Sequence, residues 1–362
     1  MGDDRNSGGK SVGQGRYKKA DQATLYAVGD TGLQHFHPGG AFAKVSNTLS
    51  EADILFGNLE APISDKGSSG MTRGEAPSTA PRFFPLRADP STMTEMKSAG
   101  FDILSLANNH AMDFGSEALL DCLERLACEG IAHIGAGRNL QEATSPVVAE
   151  RNGVMVAFLA YSAFFKGLGR IDSSTIAGPD NAGIAPIRIS PLYASPHVYP
   201  RDLKAMEQAI TEALGIADQV VVSCHWGVGY CYGLGVHQQA IGHAAIDAGA
   251  SVVLGHHPHI LQGMEAYHGG LICYSLGEFA FELPYNVPGS LDTVLLKCTL
   301  SKDGLVRASF LPAVMDQSRT PEFVSVESEN GRRIFGLMEE LSRELGTELT
   351  VDQNEVVVTL RS

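Results

Sequence analysis

The chain has 362 residues, enough for a sizeable core, and 27 Lys plus Arg stand against 41 Asp plus Glu for a formal net charge of −14. That balance argues against a nucleic-acid backbone or an anionic membrane surface as the main partner, although local basic clusters can still hold an anionic substrate. Six cysteines are scattered without a C-x-x-C pair, so neither a zinc ribbon nor a disulfide scaffold is indicated, and they read as buried thiols of a reducing compartment.

Residues 1–22 are rich in Gly, Ser, Asp and Lys and hold no apolar core of signal-peptide length, which reads as a disordered tail. Gly2 invites a myristoylation reading, but Asn6 stands where that signal wants Ser or Thr. No later stretch reaches the roughly 18 consecutive apolar residues of a membrane span. The expectation is a cytoplasmic protein without a membrane partner, with one domain over residues 23–362.

From Ala23 onward, short β-rich apolar runs alternate with helical patterns, which predicts an α/β fold. Strands are expected at residues 24–28, 53–56, 103–106, 154–160, 220–223, 251–254 and 271–275. Helices are expected at 116–129, 201–215 and 236–248; in the first, Leu119, Leu120, Leu123, Leu126 and Ala127 share one stripe and Gly130 supplies a stop. After Phe281 the pattern becomes antiparallel, with strands at 293–300 and 306–311 joined through Lys302-Asp303-Gly304. A helix over 332–345 and a strand over 355–360 close the chain.

Two long segments lack periodicity. Residues 61–85 carry Lys66, Arg73 and Arg82, and residues 164–200 carry Lys166, Arg170 and Arg188. Loops of this length are usually functional or disordered, and placed over a cleft they would serve as lids and substrate clamps.

The chemistry concentrates where strands end. Asp30 follows Gly29; Gly57-Asn58-Leu59 leads to Glu60; the third strand runs into Asn108-Asn109-His110. Two later strands run into His225-Trp226-Gly227 and into Gly255-His256-His257-Pro258-His259. A single such ending serves as well for a turn or a helix cap, and His225 alone reads equally as a satisfied polar residue. Their conjunction is different, because two carboxylates, an amide and three imidazoles form a mixed N/O donor set suited to Mn, Fe, Co, Ni or Zn and sized for two ions. Open α/β sheets place their ligands at this end of their strands.

These motifs, together with Ser275-Leu276-Gly277, resemble in order those of the CapA-like, poly-γ-glutamate capsule biosynthesis family within the calcineurin-like metallophosphoesterase superfamily, over residues 27–282. The resemblance implies a four-layer sandwich of mixed β-sheets flanked by helices, holding one or two divalent metal ions (Mn, Zn, Fe, Mg or Ca). It implies Asp30 as a ligand of the first metal and Glu60 as the bridging carboxylate. Asn109 and His225 would belong to the second metal, with His257 and His259 completing the two spheres and His256 beside them. His110 matches a proton donor. Asp113 is placed either to accept from the second nitrogen of His110 or to cap the helix near Ser116.

The chain departs from the pattern at two positions. Gly32 stands where the superfamily has a histidine, with His35 or His37 able to reach back, and Glu278 replaces the amide of Ser-Leu-Gly-Asn, as an added base or a solvent-facing strand residue. Family members usually sit behind an N-terminal anchor, a pattern that residues 1–22 lack. Trp226, the single tryptophan, suits an apolar substrate wall with Tyr230 and Tyr232, or the core. Arg73, with Lys66 and Arg82, suits pairing with a substrate carboxylate or phosphate.

The resemblance points to a metal-dependent enzyme acting on a peptide or γ-glutamyl carboxylate substrate, by hydrolysis or by metal-assisted acid/base chemistry at the α-carbon (peptide epimerisation). A dinuclear phosphoesterase and a non-catalytic polymer-binding subunit of poly-γ-glutamate synthesis are the alternatives, between which fold alone does not choose.

Overall fold

The structure, a computed structural model, describes residues 21–34, 40–69, 85–165, 175–190, 197–282 and 287–360. His35, His37, Arg73, Arg82, Lys166 and Arg170 lie outside the described residues, as does the expected tail up to residue 20.

In chain order the principal strands are β1 (Gln22–Gly32), β2 (Ile54–Leu59), β3 (Ile103–Ser105), β4 (Val154–Phe165), β5 (Gln219–His225), β6 (Val252–His256), β7 (Gly270–Cys273), β8 (Glu278–Phe281), β9 (Asp292–Ser301) and β10 (Gly304–Met315). The longer helices are α1 (Gly115–Cys128), α2 (Pro200–Leu214), α3 (Val236–Asp247) and α4 (Glu329–Glu344). Each strand and helix expected from the sequence is present, with ends shifted by a few residues.

One sheet runs Leu349–Asp352, Glu355–Val358, β10, β9, β1, β2, β3, Ala132–Ile134, with β8 also paired to β1. The other runs His197–Val198, Pro186–Ser190, β4, β5, β6, β7, Met264–Tyr267, with Val147–Arg151 also paired to β4. The strands β1, β2 and β3 pair in parallel, as do β4, β5, β6 and β7. Such strands are covered on both faces, which is why they read as apolar runs rather than as alternation.

Packing shows how the layers stack. Ala23, Leu25 and Ala27 of β1 and Phe56 of β2 face Phe158, Val221 and Leu254 of the other sheet. Phe56 and Phe158 stack across the gap with ring centroids 6.0 Å apart. Behind the first sheet, Tyr26 and Val28 pack with Leu119 and Leu126 of α1, and behind the second, Val220 and Val222 pack with Met206 of α2 and Ile241 of α3. The order is helix, sheet, sheet, helix: the expected four-layer α/β sandwich. Ile334 and Met338 of α4 join the layer between the sheets.

The sequence did not announce β8. It is short and lies where β1 changes partner, from antiparallel β9 over Gln22 to Ala27 to parallel β8 from Asp30 onward. Cysteine placement also needs correction: Cys122, Cys224, Cys273 and Cys298 are buried as expected, but Cys128 and Cys231 are exposed.

The change of partner demands close backbone approach. Asp30 N donates to Gly277 O at 3.0 Å, and a Cβ on Gly29 would stand 2.0 Å from that same oxygen. Replacing Gly29 with Ala is therefore expected to cost about 3 kcal/mol, the upper end of overpacking penalties. Urea unfolding measures it, and an unchanged midpoint would show that the 276–278 backbone moves aside freely.

Candidate metal centre

Parallel strands with short exits bring the donors to one place. Asp30 lies within the end of β1, Glu60 follows β2, Asn109 and His110 follow β3, His225 ends β5, and His257 and His259 follow β6. Asp30 is in register with Asn58 on β2 and with Glu278 on β8, while His225 is in register with His256. The exits of both sheets thus face one cleft.

There, Glu60, His225 and His257 place one donor atom each within 4.8 Å of one another, and Asp30, Glu60 and His259 do the same. Glu60 belongs to both groups. Its Oε1 lies 3.4 Å from His225 Nε2, 3.7 Å from His259 Nε2 and 4.0 Å from His110 Nε2. His225 Nε2 also meets Asn109 Oδ1 at 2.6 Å and His257 Nδ1 at 3.1 Å. The structure therefore gathers Asp30, Glu60, Asn109, His110, His225, His257 and His259.

Local hydrogen bonds hold these side chains in place. Asn58 Nδ2 donates to Asp30 Oδ1 at 2.9 Å, and the His257 amide donates to Asp30 Oδ2 at 3.1 Å. Asn108 Nδ2 donates to Leu59 O while its Oδ1 accepts from the Ala111 amide, which fixes the turn carrying Asn109 and His110. His257 and His259 hold φ of 93° and 59°. A left-handed backbone at non-glycine residues is strained, and such strain gathers at functional sites. His110 Nδ1 lies 2.6 Å from Asp113 Oδ2, which also accepts from the Leu86 amide. The residue preceding α1 is Phe114 and no side chain caps that helix, so Asp113 orients the imidazole and is not a cap.

The donors fit a cation. Both carboxylate oxygens of Glu60 are buried without a hydrogen-bond partner, as are Glu278 Oε1 and His259 Nδ1. An uncompensated buried carboxylate is costly, and a divalent ion offsets that cost directly. Burial pushes Asp30 up to about 7. Glu60 is raised well above the carboxylate range, by burial first and then by the neighbouring Asp30 and Glu278. Burial lowers His257 to about 4, and burial with neighbouring imidazoles holds His225 and His259 well below the ordinary histidine value. The imidazoles are thus neutral, the form that ligates.

Several expected residues stand elsewhere. Trp226 is only 1% exposed, packs in the layer beneath α3 and donates its indole N–H to Tyr274 O; it is core, not a substrate wall. Lys66 pairs with Asp121 at 2.9 Å and Arg188 with Asp202 at 2.6 Å, so neither is a substrate clamp. His256 is buried and faces Ser223 Oγ and Val28 O, outside both donor groups. Glu278 is fully buried, not solvent-facing, and lies 3.3 Å from Arg319 Nη1. Asn58 and Asn108 lie inside the strand-exit motifs, which assign them no role of their own, while Arg319 carries no signal because its loop follows β10, far from every motif.

A family model described as "Bacterial capsule synthesis protein PGA_cap" matches residues 11–283. The chain is 28% identical over 330 residues to "Capsule biosynthesis protein CapA" of Bacillus anthracis, covering 89% of this chain and 74% of that protein. It is 29% identical over 295 residues to "PGA biosynthesis protein CapA" of Bacillus subtilis (strain 168), covering 81% of this chain and 70% of that protein. A solved structure of a hypothetical protein from Thermus thermophilus aligns with a TM-score of 0.47 at 16% identity, covering 80% of this chain and 98% of that one.

The shifted carboxylates set a pH dependence. Because Asp30 titrates near 7 in the fold against 3.8 ordinarily, the metal-free fold holds a proton that the unfolded chain releases. That contribution to stability is present at acid pH and is lost as pH rises through about 7. A cation displaces this proton, so the rise in Tm on adding Mn²⁺ should be small near pH 5 and grow towards pH 8. Differential scanning fluorimetry tests it; a rise complete by pH 5 would assign the competing protons to other groups.

Proposed function

The chain belongs to the bacterial capsule synthesis protein PGA_cap family, and from that membership we propose that it is a metal-dependent enzyme that cleaves amide bonds of a peptide or γ-glutamyl chain by hydrolysis. The observation that carries this reading is Glu60, buried, shared by both donor groups and without a hydrogen-bond donor on either oxygen. Relatives named for capsule and PGA biosynthesis support a substrate rich in carboxylates and amide links. No helix among the described residues is long and apolar enough to cross a membrane.

In this reading Asp30, Glu60, Asn109, His225, His257 and His259 hold one or two divalent ions. The chemistry supplied by such ions is Lewis-acid polarisation of a carbonyl and a lowered pKa for water. His110 stands at the edge of the cluster, its Nε2 4.0 Å from Glu60 Oε1. With Nδ1 held by Asp113, its Nε2 gives a proton to the departing amide nitrogen. One imidazole acid suffices for hydrolysis. Exchange at an α-carbon needs a proton removed from one face and returned to the other, and the carboxylate available for a second role, Glu278, is buried against Arg319. On this ground we place peptide epimerisation second.

Metal analysis and turnover of γ-glutamyl oligomers test the proposal together. His225→Ala and His257→Ala are expected to lose bound metal and turnover alike. His110→Ala should keep its metal and lose ~10²- to 10⁴-fold in kcat. Full turnover by metal-stripped protein would reject the enzyme reading, and wild-type protein that takes up no cation would leave the polymer-binding role. Deuterium uptake from D₂O without cleavage would establish epimerisation, and phosphate release from generic phosphoesters at ordinary enzymatic rates would establish a phosphoesterase.

A further inference from the structure

His259 meets aromatic rings and carboxylates at once. Its ring stacks on Tyr230 with centroids 5.5 Å apart and meets the Phe281 ring in a tilted contact at 5.2 Å. Nε2 faces Glu60 at 3.7 Å; Nδ1 lies 3.5 Å from Glu278 Oε1 and 3.6 Å from Asp30 Oδ2. Asp30 is already engaged on both oxygens, by Asn58 and by the His257 amide. Glu278 Oε1 and His259 Nδ1 are both buried without a hydrogen-bond partner. Position 32 supplies no donor, and Phe281 fills its space, since a Cβ there would stand 2.6 Å from the Phe281 ring.

The other end of Glu278 is anchored from a distant loop. Arg319 approaches its Oε2 at 3.3 Å and adopts φ of 60°, a left-handed conformation for a large side chain. Asp316 stabilises that loop, accepting from the Ser318 amide at 2.7 Å and from Thr320 Oγ1 at 2.8 Å, and it pairs with Lys44 at 3.0 Å. One oxygen of Glu278 thereby faces Arg319 and the other faces His259 Nδ1 at 3.5 Å.

We propose that Glu278 is the positioning carboxylate of His259: it accepts the Nδ1–H, fixes the tautomer and turns the Nε2 lone pair towards Glu60, while Arg319 holds Glu278 in place. The arrangement repeats that of Asp113 with His110, and carboxylates behind ligating histidines act in this way generally. It rests on the metal-centre reading above and extends it to two residues outside the donor groups.

Calorimetric titration with Mn²⁺ and the melting point of metal-free protein test the proposal. Glu278→Leu should weaken the Asp30–Glu60–His259 group by about 10- to 100-fold and leave the His225–His257 group unchanged. Glu278→Gln keeps an acceptor oxygen and should retain most of the affinity. The double variant Glu278→Leu with Arg319→Met removes both ends of the pair, and its affinity should stay as low as that of Glu278→Leu whatever its melting point. Affinity restored in the double variant, or Gln behaving as badly as Leu, would make Glu278 merely a partner for Arg319 and overturn the proposal. Wild-type protein that binds no cation would instead sink the metal-centre reading itself.

Discussion

A carboxylate without a partner governs this molecule. Glu60 is fully buried where the two sheets open, and no backbone or side-chain donor among the described residues satisfies it. Leaving such a group unmet costs more than a typical hydrogen bond contributes, so the surroundings must either protonate it or supply a cation. On the proposed reading the second outcome holds, with neutral imidazoles from two strands, a second carboxylate on β1 and left-handed turns at His257 and His259 around Glu60.

The scaffold tolerates this because it is rigid elsewhere. Parallel strands buried on both faces and a stacked Phe56–Phe158 pair between the sheets fix where each strand ends. Gly29 lets two backbones touch where β1 changes partner, and Gly255, whose Cβ would lie 2.0 Å from Tyr274 O, allows the same within β6. The left-handed residues His257 and His259 stand at a strand exit, where strain commonly gathers at functional sites.

Electrostatics adds a further constraint. The chain carries a formal net charge of −14, so its overall field repels a carboxylate-rich polymer. On the proposed reading, attraction must come from within the cleft, where bound cations reverse the local sign. Among the described residues, Lys66, Arg125, Arg188 and Arg333 are tied to Asp121, Asp202 and Asp292 in structural pairs.

Much of this was legible in the sequence. Apolar runs alternating with helical stripes gave the strands and helices in order, because the parallel strands are covered on both faces and the helices on one. The strand-exit motifs gave Asp30, Glu60, Asn109, His110, His225, His257 and His259, because a donor placed directly after a strand inherits that strand's position. What depended on contacts between distant segments was not legible. Trp226 lies beside a donor yet points into the core; Asp113 serves His110 and not its own helix; β8 exists only because β1 gives up one partner for another. Arg319 reaches Glu278 from a loop with no motif, across 41 positions of sequence. Local pattern determined which groups stand at the ends of strands; only the packing of one sheet on the other decided which of them meet, since burial and charge compensation are properties of the assembled layers and not of any single segment.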